Sequence, residues 1–199
     1  MPVVNKNFSK KYFNFFIKSI NKLNTKKIDD LVNEIKKLRK SRGRLFFLGI
    51  GGSAANCSHA VNDFRKICNI ESYSITDNIS EFTARINDDG WENSMTGYLK
   101  VSNIKSNDAL FIMSVGGGDQ KKNVSVNIIN ALKFAKKRKV KIFGIVGRNG
   151  GYAAKVTKKI ILVPTVNDKL ITPIAESMQV LVWHYIVSHP DLKINNTKW

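Results

Sequence analysis

Two glycine-rich segments hold the residues best placed to do chemistry in this sequence. The first, GIGGSAANCSH (49–59), grows out of a short apolar run, LFFLGI (45–50), and opens a stretch with helical spacing. The second, SVGGGDQKKNVS (114–125), again follows an apolar run and again precedes a helical pattern. Gly49, Gly51 and Gly52 let the backbone turn tightly, and Ser53 stands where it can cap the following helix. Free N–H groups at such a helix start attract anions, so each turn is a candidate phosphate seat. The spacing Gly49-x-Gly51-x-x-Ala54 also fits a relaxed dinucleotide fingerprint, with Asp77 where a ribose-binding acid would stand. A tight strand-to-helix turn needs glycines whatever it binds, so this match alone does not choose between nucleotide, other anion and plain structure. Two such turns in one small sheet favour a phosphorylated sugar over a single extended dinucleotide.

Periodicity identifies the elements that must carry these turns. Tyr12, Phe13, Phe16, Ile17, Ile20 and Leu23 recur at helical spacing over 9–23, and Ile28, Leu31, Val32, Ile35 and Leu38 over 27–40. They predict a helical pair with one apolar face that needs a partner. Short apolar runs at 45–50, 72–76, 109–115, 141–147 and 159–164 predict strands. Helices are expected at 53–66, 91–102, 125–138 and 151–157. A last helix is expected to open at Thr172-Pro173, a cap followed by proline at the first helical position, and to stop before Pro190. Five buried strands alternating with helices imply a parallel sheet covered on both faces. Ligands then sit beyond the carboxyl ends of the strands, in the loops expected at 49–53, 77–89 and 114–125. One domain is expected over 1–199, with helices 8–40 ahead of a sheet core at 44–188.

The chain has 199 residues, 43% of them hydrophobic, which fits one compact domain and excludes a largely disordered chain. No run approaches the roughly 18 apolar residues of a membrane-spanning helix, so no membrane insertion is expected. The opening MPVVNKNFSKKYFNFF lacks the apolar block of a secretory signal, and two cysteines cannot build a disulfide framework. A reducing, cytoplasmic setting is the expectation. The net charge of +18 is unevenly spread. Residues 1–28 hold seven Lys and no acid, residues 121–167 hold twelve Lys/Arg and no acid, and residues 63–119 hold nine acids against five bases. The bases do not gather beside a nucleic-acid reading module, so no specific nucleic-acid partner is expected. The charge reads as a solvated surface with weak attraction for anions.

GxGGSxxxxxH (49–59), TDN (76–78), NDxG (87–90), the turn opening at Ser114, and GRNGG (147–151) occur in that order. Together they resemble the sugar isomerase (SIS) domain family, and within it the phosphoheptose isomerases, over about residues 8–188. The resemblance implies an αβα sandwich with a five-stranded parallel sheet, preceded by a helical pair that joins subunits into a homotetramer. It also implies interconversion of sedoheptulose 7-phosphate and a heptose 7-phosphate. Its sugar-contacting GNGGS becomes Gly49-Ile50-Gly51-Gly52-Ser53, with the polar Asn lost to Ile50. The family's metal-binding His is matched by His59, and the Glu that is both base and ligand by Asp63. The substrate-contacting pair is Asn87-Asp88, and the phosphate loop keeps Ser114 and Ser125, with Gly116 between them. The Gln ligand is matched by Glu176, and the closing His, ligand and acid, by His184. The implied catalytic residues are therefore Asp63 and His184. The implied metal set is His59, Asp63, Glu176 and His184.

Aldose–ketose isomerisation moves a proton between adjacent carbons through an enediol, so it needs a base at carbon and an acid at oxygen. His59 and Asp63, four residues apart, share a helix face and can chelate one ion or hold an acid–base pair. Glu176 and His184 lie about 80° apart around an ideal helix and meet a common ion only if helices from neighbouring subunits close the pocket. Two His and two carboxylates suit Zn²⁺ or another divalent ion that polarises the sugar carbonyl, although a lone helical His is more often a surface residue. The chain also departs from the pattern. Asp63 has about 1.5 Å less reach than Glu, and about 1 Å of misplacement costs about 100-fold in rate. Val115 and Gly116 replace hydroxyl residues, and about six residues, Lys121 and Lys122 among them, are inserted. Two function classes follow, a phosphosugar isomerase and a non-catalytic SIS module that binds phosphosugar. A nicotinamide-dependent oxidoreductase is a third, opposed by the second glycine turn.

Overall fold

The computed structural model describes residues 7–196, so residues 1–6 and 197–199 of the expected domain lie outside the described residues. Five strands, β1 (Leu45–Leu48), β2 (Ser72–Ser74), β3 (Ala109–Ser114), β4 (Lys141–Val146) and β5 (Ile160–Leu162), pair in the order β2-β1-β3-β4-β5, all parallel. The order reverses direction between β1 and β3, which opens a crevice beyond their carboxyl ends. Both glycine turns lead out of that crevice.

The strands are continuous apolar runs because both faces of the sheet are covered. Leu45, Phe47, Phe111, Met113, Phe143 and Ile145 point into one core. That core also takes residues of α2 (Thr25–Lys40), α3 (Gly52–Lys66) and α8 (Ile171–Ser188). Phe46, Leu48, Leu110, Ile112, Ile142 and Val146 point into the other, against α5 (Ser94–Val101), α6 (Val126–Lys137) and α7 (Gly151–Val156). The remaining helices are α1 (Phe8–Asn21) and α4 (Ile79–Asp89). Of α1 only Ser19 is buried, its hydroxyl donating to the Pro164 carbonyl at 3.3 Å, while Phe13 and Ile17 stay 63% and 53% exposed.

Three expectations need correction. Residues 79–89 are not loop but α4, because Asn78 Oδ1 accepts from Glu81 N at 3.2 Å and Arg85 bridges Glu81 and Asp89 one turn either side. The last helix begins at Ile171 rather than at a Thr172 cap, so Pro173 sits inside the first turn, where its missing N–H has no partner to lose. The segment Asp168–Ser188 is long and apolar enough to cross a membrane by length and composition, contrary to the scan for apolar runs. Much of its apolarity is taken up by burial, since α8 packs seven apolar residues into the core.

Candidate active site

At the first turn, a methyl on Gly49 would lie 2.5 Å from the Ser53 carbonyl, so only glycine allows the chain to double back there. Gly51, with φ 60°, is the N-cap, and its carbonyl accepts from Ala54 N (2.9 Å) and Ala55 N (3.2 Å). Ser53 is therefore not the cap that was expected. It is buried, and its Oγ accepts from Gln179 Nε2 at 3.1 Å. Gln179 Oε1 in turn accepts from Asn56 Nδ2 (2.9 Å), which also donates to the Glu176 carbonyl (3.0 Å). This buried network sets the register of α3 against α8, and it lays the Glu176 carboxylate on Gly52, where any side chain would overlap it. The start of α3 already faces a negative charge, which opposes a pyrophosphate there. Asp77 is committed locally as well, its Oδ2 accepting from Ser74 N at 3.2 Å. The dinucleotide reading thereby loses both of its supports.

That register also brings together His59 and Asp63, one turn apart on α3, and His184 on α8. One donor atom from each lies within 4.8 Å of the other two. Asp63 Oδ2 stands 3.7 Å from His184 Nε2, beyond a hydrogen bond but within ion-pair range, and Asp63 Oδ1 accepts from Asn62 Nδ2 at 2.8 Å. The Asp63 side chain is 13% exposed and that of His184 is 44% exposed. Burial pushes the His184 imidazole below its ordinary pKa; the Asp63 charge opposes this and His59 adds to it. Two imidazoles and a carboxylate with an open fourth position form a donor set for a catalytic divalent ion, whose ligand atoms would stand about 3.3 Å apart. Small side-chain rotations close that gap. Glu176, expected as a fourth ligand, is not brought to this cluster. It sits at Gly52, seven residues or about 10 Å up α3 from His59.

The second turn is built differently from what its glycines suggested. Ser114 Oγ accepts from Gly117 N at 3.0 Å and more weakly from Gly116 N at 3.4 Å, so those N–H groups are turned inward rather than held out as a phosphate nest. The carbonyls of Gly117 and Gly118 accept from Ala153 N (3.0 Å) and Tyr152 N (2.8 Å), capping α7. A side chain on Gly117 would overlap the Gly150 backbone. The glycine run thus lets the loops after β3 and β4 press together. Ser114 keeps its own hydroxyl proton to donate. The inserted residues form a small hairpin in which Asp119 and Val124 exchange backbone bonds and Asp119 Oδ1 accepts from Lys121 N and Lys122 N. Lys121 and Lys122 are exposed. Ser125 precedes α6 in the left-handed state (φ 54°, ψ 45°) without capping it. Two residues on, Asn127 is fully buried with Nδ2 unpartnered.

Asn87 and Asp88 end α4, exposed, with Asn87 Nδ2 donating to Asp88 Oδ1 at 2.7 Å. Among the described residues no hydrogen bond or ion pair ties them to the other groups. Sequence reasoning missed Trp183, which is fully buried with its ring 4.7 Å from His59 and 3.6 Å from His184. Its position one residue before His184 was the only available signal.

No protein-family model matches the chain. It is 30% identical over 171 residues to the phosphoheptose isomerase of Sulfurimonas denitrificans, a match spanning 79% of this chain and 82% of that one. It is 29% identical over 156 residues to the lincomycin biosynthesis protein LmbN of Streptomyces lincolnensis, where it spans 74% of itself but only 56% of that relative. In fold it is similar to phosphoheptose isomerase GmhA from Neisseria gonorrhoeae, with a TM-score of 0.77 at 21% identity, covering 90% of this chain and 95% of that one.

Proposed function

The chain belongs to the phosphoheptose isomerase family of SIS-domain proteins, and from that premise we propose that it is an aldose–ketose isomerase acting on a phosphorylated sugar, sedoheptulose 7-phosphate being the first candidate. The observation that carries this is the meeting of His59, Asp63 and His184 where α3 packs on α8. In the forward direction the Asp63 carboxylate takes a proton from C1 while protonated His184 gives one to the carbonyl oxygen on C2, leaving an enediol. Asp63 then returns its proton to C2 and His184 takes one from the oxygen on C1. Both groups end as they began, and the sugar has changed from ketose to aldose. The lowered pKa of His184 makes its protonated form a readier donor.

His59, Asp63 and His184 would hold Zn²⁺ or another divalent ion, which when bound polarises the sugar's carbonyl oxygen. The Nε2 lone pair of His184 serves an ion or a proton, one at a time. Turnover of sedoheptulose 7-phosphate by purified protein, with and without added Zn²⁺, tests this reading. Measurable conversion supports it. No conversion of this or smaller phosphosugars in either condition, with binding retained, makes the chain a phosphosugar-binding module.

The assembly we infer is a homotetramer in a reducing, cytoplasmic setting. Phe13 and Ile17 on α1 and Leu181 and Tyr185 on α8 leave apolar surface uncovered by the chain's own fold. Both cysteines are free and buried, and burial pushes the Cys68 thiol up to about 12. Light scattering should give four times the chain mass, and a monomer at micromolar concentration overturns the assembly.

A further inference from the structure

We propose that Arg148 is the cation that seats the substrate's phosphate, reaching over the second glycine turn from the GRNGG segment; the inference deepens the phosphosugar reading and rests on it. Residues Gly147 to Gly150 form a turn after β4, closed by Gly150 N donating to the Gly147 carbonyl at 3.1 Å. Gly147 N also donates to the Ser114 carbonyl at 3.1 Å, which ties this turn to the phosphate loop. Arg148 occupies the turn with φ 52°, a state that residues bearing a Cβ rarely adopt. Arg42 and Lys139 hold the same state at other turns, so what distinguishes Arg148 is where its side chain lies.

That side chain lies over the loop. Its Cδ and Nε are 3.6 and 3.9 Å from the point where a Cβ on Gly116 would stand. It is exposed, and among the described residues no carboxylate pairs with it. The loop beneath is short of donors, because Val115 and Gly116 carry no hydroxyl and the Gly116 and Gly117 N–H groups are given to Ser114, which leaves the Ser114 hydroxyl. The other anion seat, at the start of α3, has the Glu176 carboxylate beside it, which opposes an anion there. A guanidinium offers a planar fork of N–H groups that matches a phosphate's oxygens, which restores what the loop has lost.

Calorimetry with sedoheptulose 7-phosphate and unphosphorylated sedoheptulose tests the assignment. Arg148→Ala should weaken the phosphosugar about 10- to 100-fold, leave the unphosphorylated sugar unchanged, and raise KM with little change in kcat. Arg148→Gly keeps the left-handed turn unstrained and should show the same loss, which separates the guanidinium from the fold. Arg148→Lys should recover only part, because a point charge lacks the fork. Wild-type affinity in Arg148→Ala, or a loss that instead follows a Lys121→Ala/Lys122→Ala double variant, overturns the assignment. Equal affinity of the wild type for the two sugars would instead overturn the phosphosugar reading beneath it.

Discussion

Two regions of the molecule use polar side chains in opposite ways. At the amino end, before β1 and β3, Asp108 is buried with its side chain 2% exposed, and its carboxylate accepts from Arg44 N, Nε and Nη2 and from Lys105 N at 2.8–3.3 Å. Arg44 spends its remaining donors on the carbonyls of Ser102 and Asn103 and lies over the Phe46 ring at 4.9 Å. Four of the five Arg44 side-chain N–H groups and both Asp108 oxygens have found partners inside the chain. Where α3 packs on α8, Asp63 and His184 stand 3.7 Å apart without a hydrogen bond and Trp183 Nε1 is buried and unpartnered, as is Asn127 Nδ2 at the start of α6. A closed network lowers the energy of the fold, whereas groups held in place but unsatisfied keep their capacity for something else. The difference therefore separates residues kept for holding from residues kept for chemistry.

The sharpest way to break that contrast is to remove the base. Asp63→Asn keeps the size and the neighbour Asn62 but cannot take a proton, so isomerisation should fall at least 10²- to 10⁴-fold. Its thermal midpoint should move little, because Asp63 makes no buried bond that the amide forfeits. Asp63→Glu regains about 1.5 Å of reach toward the substrate and should keep or raise the rate. A stability loss matching the rate loss would place Asp63 with the holding residues and erase the distinction. The measurement is kcat/KM beside a melting curve on the same preparations.

The sheet was readable because parallel strands buried on both faces are unbroken apolar runs, and Phe46-Phe47 or Leu110 to Met113 admit no other reading. Strand ends were overrun by one or two residues, since apolar neighbours such as Ile75 continue into a helical turn. α4 was hidden because its start depends on the Asn78 cap and its middle on Arg85 pairs, in a polar segment that resembles a loop. In the site, His59 and Asp63 were legible as a pair because helical spacing is local. His184 is distant in sequence and came only through family resemblance. Within one chain Glu176 stays apart from the cluster because the Gln179–Ser53–Asn56 network decides the register of α8 on α3, a three-dimensional fact that spacing along one helix does not contain. The glycines of the second turn looked like a phosphate nest, yet Gly117 is there to let the Gly150 backbone approach.

The amino end supplies the converse test, with a smaller effect. Asp108→Asn leaves Arg44 beside a neutral amide, and breaking a buried charge pair from one side costs about 3–5 kcal/mol. The solvent-facing part of Arg44, whose side chain is 22% exposed, puts the expectation at the lower end of that range. A urea titration should therefore show an earlier midpoint, while turnover per folded molecule stays at the wild-type value. The same residue predicts an acid limb. Burial alone would raise the Asp108 carboxyl, but the bonds from Arg44 and from the Arg44 and Lys105 backbones outweigh it and hold the pKa below the ordinary carboxylate range. The folded pKa lies below the unfolded one, so this stabilisation is complete above about pH 4 and is lost as pH falls through the lower folded value. In Asp108→Asn that part of the acid limb should flatten, and in Asp63→Asn it should remain. An acid limb unchanged in Asp108→Asn would mean that the amino end does not hold the fold through this charge.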